Sequence, residues 1–235
     1  SLPHFRRALL RLAAGPERRS LTLSEEERRL VAYHEIGHAL AGHLSPRCDP
    51  VERVTVIPQG QALGITVALP AEDRLLATRA ECVERLAMMM AGRAAEELVF
   101  GELTTGAADD LVRAATLARR MAGELGMAAP TTAASLRGGL PGGRGAGAEA
   151  RVEERARALV DDAFADATAL LRDHEAVLHR AAARLLEEEA LEREDLEALF
   201  GPRPVAGRLL PSRPPQDQDG PQASPRQAAS QNIHS

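Results

Sequence analysis

Two histidines and a glutamate in one short run, His34-Glu35-Ile36-Gly37-His38, are the residues of this chain best placed to do chemistry. On a helix advancing about 100° per residue, His34 and His38 lie roughly 40° apart and aim two imidazoles at one point, with Glu35 about 60° from His38. Two neutral imidazoles and one further ligand leave a tetrahedral Zn²⁺ with an open position, where bound water falls to a pKa of about 7. That water is a nucleophile, and Glu35 is placed to take its proton as general base and pass it to a leaving amine. The pattern therefore predicts metal-assisted hydrolysis.

A third ligand must come from another element. His43 stands five residues beyond His38, roughly 140° round the helix, and is expected to be a surface histidine. A third histidine at metzincin spacing would fall on position 44, which is Leu44. Four carboxylates qualify by position: Glu96 and Glu97 on a second helix, and Asp109 and Asp110 in the first turn of a third. Acidic residues in a first turn also complement the helix dipole, so the residues alone leave all four open.

The elements that hold these groups are legible as punctuation. Ser24 and Glu27 form a capping box that predicts a helix over about 25–44, stopping before Pro46. The runs 51–57 and 63–69, rich in β-branched residues and separated by Pro58-Gln59-Gly60-Gln61, predict a hairpin and one small sheet. Thr78 and Glu81 cap a second helix through Met90, with a bend expected at 91–93 before 94–100. A third helix is expected over about 108–125, with Gly126 as its stop. From 150 to 200 the Ala, Leu, Glu and Arg content predicts two helices broken near Asp173-His174 and a short one over 193–200, together a helical hairpin. The expected fold is mainly α, with that small sheet.

Composition excludes several classes. The 235 residues carry 29 basic and 34 acidic side chains, a formal charge of -5, which argues against a nucleic-acid partner. No lysine occurs, so the chain has no G-x-x-x-x-G-K-[ST] phosphate loop. Aromatic residues are 2%, so the core is expected to be Leu, Val, Ala and Met. Cys48 and Cys82 are too few for a disulfide framework and are expected to be small buried hydrophobes in a reducing compartment. No stretch reaches the roughly 18 apolar residues of a membrane span, so the chain as given is expected to be soluble. It begins with Ser1, as a processed or excised piece would. A helix over 5–14 ending at Gly15-Pro16, a flexible loop over 128–148 holding six of the 19 glycines, and a disordered tail over 201–235 holding seven of the 15 prolines complete the expected layout.

Four motifs in order resemble the peptidase domain of the FtsH-type ATP-dependent zinc proteases. They are His34-Glu35-x-Gly37-His38-Ala39; Arg53-Val54-Thr55-Val56-Ile57-Pro58-x-Gly60-x-Ala62-Leu63-Gly64; Gly92-Arg93-Ala94-Ala95-Glu96-Glu97; and Thr104-Thr105-Gly106-Ala107-x-x-Asp110-Leu111. The resemblance is close over 16–127 and looser over 150–200. It implies a zinc endopeptidase domain over 21–200, with residues 1–20 as the end of an ATPase lid and its linker. It implies His34, His38 and Asp110 as zinc ligands and Glu35 as the catalytic residue, with Asp109 pointing elsewhere. Ile36 replaces the family's usual alanine, and 128–148 is shorter than the family's substrate-facing segment. By resemblance the chain joins a homo-hexamer, works with an AAA ATPase module upstream or in trans, acts on unfolded or membrane-extracted proteins, and lies on the cytoplasmic side, membrane-associated where the family's anchors are present. The alternatives are a non-catalytic peptidase-like assembly module and a stand-alone, ATP-independent zinc peptidase.

Overall fold

The computed structural model of the chain describes residues 16–18, 21, 23–70, 75–128 and 146–205. The expected helix over 5–14, most of the glycine-rich loop and nearly all of the C-terminal tail lie outside the described residues. Helix α1 (Glu25–Leu44) starts where the capping box requires: the Ser24 hydroxyl accepts from the Glu27 amide at 3.2 Å and the Glu27 carboxylate accepts from the Ser24 amide at 2.9 Å. From Ala32 to Leu44 every residue is buried, so α1 is the central helix, covered on all sides.

Strand β1 (Val51–Thr55) follows, then β2 (Ile65–Ala68), paired antiparallel with Val54 opposite Thr66. Helix α2 (Arg79–Phe100) begins with the second capping box, at Thr78 and Glu81, and stops at Gly101, whose φ of 68° is a left-handed cap. The bend expected at 91–93 is not a break: α2 runs unbroken through Gly92. A 3₁₀ turn (Thr105–Ala107) leads into α3 (Ala108–Gly123), which ends two residues short of the expected 125, with Gly126 in the left-handed region just beyond. Helices α4 (Ala146–Asp173) and α5 (Glu175–Glu188) are separated at His174, close to the expected break, and α6 (Arg193–Phe200) closes the domain. Helix α4 lies on α2 and α3, while α5 lies on α1.

One element escaped the sequence reading. Residues Ala190–Glu192 form β3, the third strand of a sheet ordered β2-β1-β3. Its run of Glu, Ala, Leu and Arg has helical composition, and tertiary pairing with β1 overrides that preference. The chain enters β3 through Glu189, a non-glycine residue at φ 63°. Its carbonyl accepts from the Val56 amide at 3.0 Å and the Thr55 hydroxyl at 2.8 Å, and its carboxylate pairs with Arg28 at 3.0 Å. These bonds offset the roughly 1 kcal/mol that a side chain costs in the left-handed region.

The core is aliphatic, as the near-absence of aromatics requires. One cluster joins α1, α2, α4, α5 and the sheet around Ile36, Leu40, Val54, Leu171 and Leu191; a second joins α2, α3 and α4 around Leu86, Met90 and Met121. Cys48 and Cys82 are buried and unpaired, and burial pushes the Cys48 thiol up to about 12, which keeps it protonated and inert. Residues 16–18 run alongside the hairpin loop, with the Arg18 amide bonded to the Pro58 carbonyl at 2.7 Å.

His43 departs from expectation. It is buried, not on the surface, and its Nε2–H donates to the Gly201 carbonyl at 2.9 Å. The residues after α6 fold back over the end of α1, covering a face that helix geometry alone had left open.

Two outcomes follow from this packing. A Cβ on Gly37 would sit 2.6 Å from the Ala91 carbonyl oxygen and 2.8 Å from the Ala95 Cβ; both are held by α2, so Gly37→Ala is expected to cost about 1–3 kcal/mol, read as a lower denaturant midpoint. Burial holds His43 below the ordinary histidine value of 6.5, opposed by the Gly201 bond and reinforced by Arg203. The unfolded imidazole then takes its proton first as pH falls, so this contribution to stability is complete above about 6.5 and declines below it. Urea midpoints between about pH 7.5 and pH 5 should fall more steeply for the wild type than for His43→Gln.

Candidate metal centre

The central helix and α3 bring three ligand atoms together. His34 Nε2 lies 3.0 Å from His38 Nε2 and 3.2 Å from Asp110 Oδ2, and His38 Nε2 lies 3.1 Å from the same oxygen. Zn²⁺ bonds of 2.0–2.1 Å at tetrahedral angles would separate such ligands by about 3.3 Å. The triangle therefore has the composition and nearly the dimensions of a zinc site.

Both rings are fixed from behind. His38 Nδ1 contacts the Met88 carbonyl at 2.7 Å, an acceptor only, so Nδ1 carries the proton and donates it. His34 Nδ1 donates to Glu96 Oε1 at 2.7 Å, and Glu96 Oε2 accepts from the Thr104 amide at 2.8 Å. With each Nδ1 committed, Nε2 of each ring is left to offer its lone pair to an ion at the shared point, the usual tuning of metal-bound histidine. Three electron-rich atoms within 3.2 Å repel one another unless a cation lies between them.

The titration tendencies carry the same message. Burial opposes charge on His34, but its bonds to Asp110 and Glu96 prevail and push it up to about 10. Burial would raise Asp110, yet its bonds to His34 and His38 hold it well below the usual carboxylate range. Glu96 is lowered in the same way, against its burial, by His34 and the Thr104 amide. The pocket favours positive charge at its centre and carboxylates around it.

Space for the site comes from a missing side chain. A Cβ on Gly92 would sit 2.5 Å from His38 Nε2 and 2.7 Å from His34 Nε2, on top of the ligand atoms. Gly92 is therefore a cradle for the imidazoles, which explains a glycine in mid-helix better than the expected bend does.

Glu35 stands beside the triangle, on the side facing the sheet. Burial raises its pKa, partly offset by the two histidines and by the Thr66 hydroxyl, which donates to Oε2 at 2.7 Å. A carboxylate raised in this way is suited to holding a proton in transit.

Of the four carboxylates left open, Asp110 alone reaches the triangle. Glu96 is buried behind His34, Asp109 and Glu97 are exposed, and His43 lies at the other end of α1. The sequence reading passed over Gly92 as a cradle, Thr66, the Met88 carbonyl and the Thr104 amide. The backbone groups leave no side-chain signal. Thr66 did leave one: Gly64, just ahead of β2, and Thr66 and Ala68 on it alternate and make a face of small side chains, the mark of a strand pressed against a neighbour.

The model of peptidase family M41 matches residues 21–199. The chain belongs to peptidase family M41. Its similarity to several curated proteins is extensive. It is 41% identical over 226 residues to the ATP-dependent zinc metalloprotease FtsH 4 of Sorangium cellulosum, covering 91% of this chain and 34% of that protein. It is 44% identical over 222 residues to the ATP-dependent zinc metalloprotease FtsH of Methylibium petroleiphilum, covering 88% and 36%. With FtsH 2 of Sphaerobacter thermophilus the identity is 42% over 220 residues, covering 90% and 32%. The chain thus spans about a third of the length of these relatives. As an M41 member it is a metallopeptidase, and Zn²⁺ is the ion that its His–His–carboxylate group fits.

Asp110→Asn is expected to weaken zinc retention at least about tenfold, while Asp109→Asn leaves it within about twofold. Zinc content after competition with a graded chelator reads both. Equal retention in the two variants would remove Asp110 from the ligand set.

Proposed function

We propose that this chain is the proteolytic part of an ATP-dependent FtsH-like protease, a zinc endopeptidase that hydrolyses peptide bonds of unfolded proteins. The observation that carries the reading is the juxtaposition of Glu35 with three converging ligand atoms, in a chain of family M41. In this reading His34, His38 and Asp110 hold the ion and Glu35 is the general base. Zn²⁺ held there would supply a Lewis acid for the scissile carbonyl and lower the pKa of water toward about 7.

The chain's own residues do the rest. Glu35 accepts a proton from the attacking water on a carboxylate oxygen and returns it to the departing amine nitrogen. Its burial keeps that proton from exchanging freely with solvent. The Nδ1 bonds of His34 and His38 stay in place throughout, so neither ring turns as charge develops. Glu96 offsets positive charge at the centre from behind His34.

The larger assembly belongs to the same proposal. The relatives' names as ATP-dependent proteases support an AAA ATPase module upstream or in trans, delivering unfolded or membrane-extracted chains. Leu103, ahead of α3, and Leu111 and Val112, on it, are 44%, 41% and 64% exposed, apolar side chains that support assembly with further copies, by resemblance a homo-hexamer. No described helix is long and apolar enough to cross a membrane; placement on the cytoplasmic side, with anchors elsewhere in the whole protein, rests on the family resemblance.

The test is turnover of casein or a flexible fluorogenic peptide by the zinc-loaded protein. Glu35→Gln should lower kcat by a factor of about 10²–10⁴ while zinc stays bound. Equal turnover in the two would remove Glu35 as the base, and no turnover by the wild type in any assembly state would leave a peptidase-like assembly module.

A further inference from the structure

We propose that Thr66 is a positioning residue for the hydrolytic reaction: its hydroxyl fixes the Glu35 carboxylate so that Oε2 is anchored to the sheet and Oε1 alone carries the proton in transit. The inference rests on the reading of Glu35 as general base and deepens it. Nothing in the H-E-x-x-H pattern requires a partner for this glutamate, and the partner comes from 31 residues away, on a different element.

The geometry is specific. Thr66 Oγ1 lies 2.7 Å from Glu35 Oε2 and 3.0 Å from the Glu35 main-chain carbonyl, and with a single proton to give it donates to the nearer Oε2 while packed against the carbonyl. That bond restricts the side-chain torsions of Glu35 relative to its own helix. Oε1 has no protein hydrogen bond among the described residues. Thr66 is held in turn by its pairing with Val54, a fully buried residue of the central strand, whose side chain shares the face of the sheet turned toward α1. Two residues earlier, Gly64 makes the approach possible: a Cβ there would sit 2.9 Å from Glu35 Cγ and 2.5 Å from Val31 Cγ1.

The proton accounting explains why a hydroxyl suits this position. Before attack, both Glu35 oxygens carry lone pairs and Oε2 accepts from Thr66. After attack, Oε1 holds the proton taken from water, and Oε2, now the carbonyl oxygen of the acid, still accepts from Thr66. When the proton passes from Oε1 to the amine nitrogen, the first arrangement returns. The Thr66 bond persists in both protonation states, so the carboxyl need not turn between accepting and delivering, and the proton stays on Oε1. A side chain free to rotate would spend part of its time with the protonated oxygen misdirected.

Thr66→Val, which keeps the shape and strand preference but removes the O–H, and Thr66→Ser, which keeps the O–H, are compared in the full-length, zinc-loaded protein with a fluorogenic peptide. Thr66→Val should lower kcat about tenfold with KM within about twofold and zinc still bound, and Thr66→Ser should recover kcat to within about threefold of wild type. A peptide hydroxamate, whose hydroxyl proton meets Glu35 without turnover, should bind about tenfold more weakly to Thr66→Val and normally to Thr66→Ser. If Thr66→Val does not fold, Thr66→Ala takes its place in each comparison. A wild-type kcat in Thr66→Val, a Thr66→Ser as slow as it, or loss of zinc from Thr66→Val would overturn the inference. Glu35→Gln, run alongside, keeps the two readings apart: an inactive Glu35→Gln with an unaffected Thr66→Val defeats only the role of Thr66, whereas an active Glu35→Gln defeats the base itself.

Discussion

The close crossing of α1 over α2 is the contact on which the rest of the molecule depends. Gly37 offers no side chain where α1 meets the Ala91 carbonyl and the Ala95 methyl, and Gly92 offers none where α2 meets the two imidazoles. The groups that face one another form matched stripes: His34, Gly37, His38 and Gly42 on α1, and Met88, Ala91, Gly92, Ala95 and Glu96 on α2. Both stripes step by three and four residues, so each lies along one face of its helix. One crossing therefore does two things. It buries small residues at van der Waals distance, and it carries the Met88 carbonyl and the Glu96 carboxylate to the two Nδ1 atoms. Larger side chains at the crossing would separate the helices and release both rings at once.

That economy has an electrostatic consequence. The crossing, with α3 packed beside it, brings two imidazole lone pairs and the Asp110 carboxylate into one small volume, an arrangement that opposes folding in the absence of positive charge. Affinity for a cation and stability of the fold are therefore coupled through the same atoms, since an ion that binds the folded triangle and not the unfolded chain stabilises the fold by mass action. The aliphatic core supplies the rigidity that holds the charges together: Ile36, Leu40 and Leu171 are almost wholly buried around the helix that carries the ligands.

Much of this was legible in the sequence because local signals governed it. Two capping boxes mark the starts of α1 and α2 within a residue, and the spacing of His34 and His38 places them on one helix face before any tertiary contact is known. What depends on distant contacts was not legible. The choice of Asp110 over Asp109 turns on how α3 is rotated against α1; helical spacing left both open, and only the family resemblance favoured one. The strand at Ala190–Glu192 reads as helix because its residues are helix formers, and it becomes a strand because β1 needs a partner on its second edge. His43 reads as exposed because the residues that bury it lie more than 150 positions away. Gly92 reads as a hinge because a helix-weakening residue is visible locally, whereas the imidazoles that require it are not.

The sheet, although small, has a part distinct from that of the helices. All three ligand side chains stand on helices, and their rings are braced by helix α2 and the turn that follows it; Glu35 alone is braced by a strand. β1 lies in the middle, with β2 on the side of Glu35 and β3 on the side of Glu189. Because Glu189 ties α5 to Val56 and Thr55, and Arg28 of α1 reaches both Glu189 and the Leu186 carbonyl, the far edge of the sheet is fixed to the helical core at several points. The near edge is thereby held in register against α1, and a three-residue strand that touches no ligand helps to set where the base stands. The metal-facing atoms and the proton-carrying atom are thus positioned by separate parts of the fold that meet at α1. A change in one can leave the other standing, which is the condition for binding an ion and moving a proton to be adjusted independently.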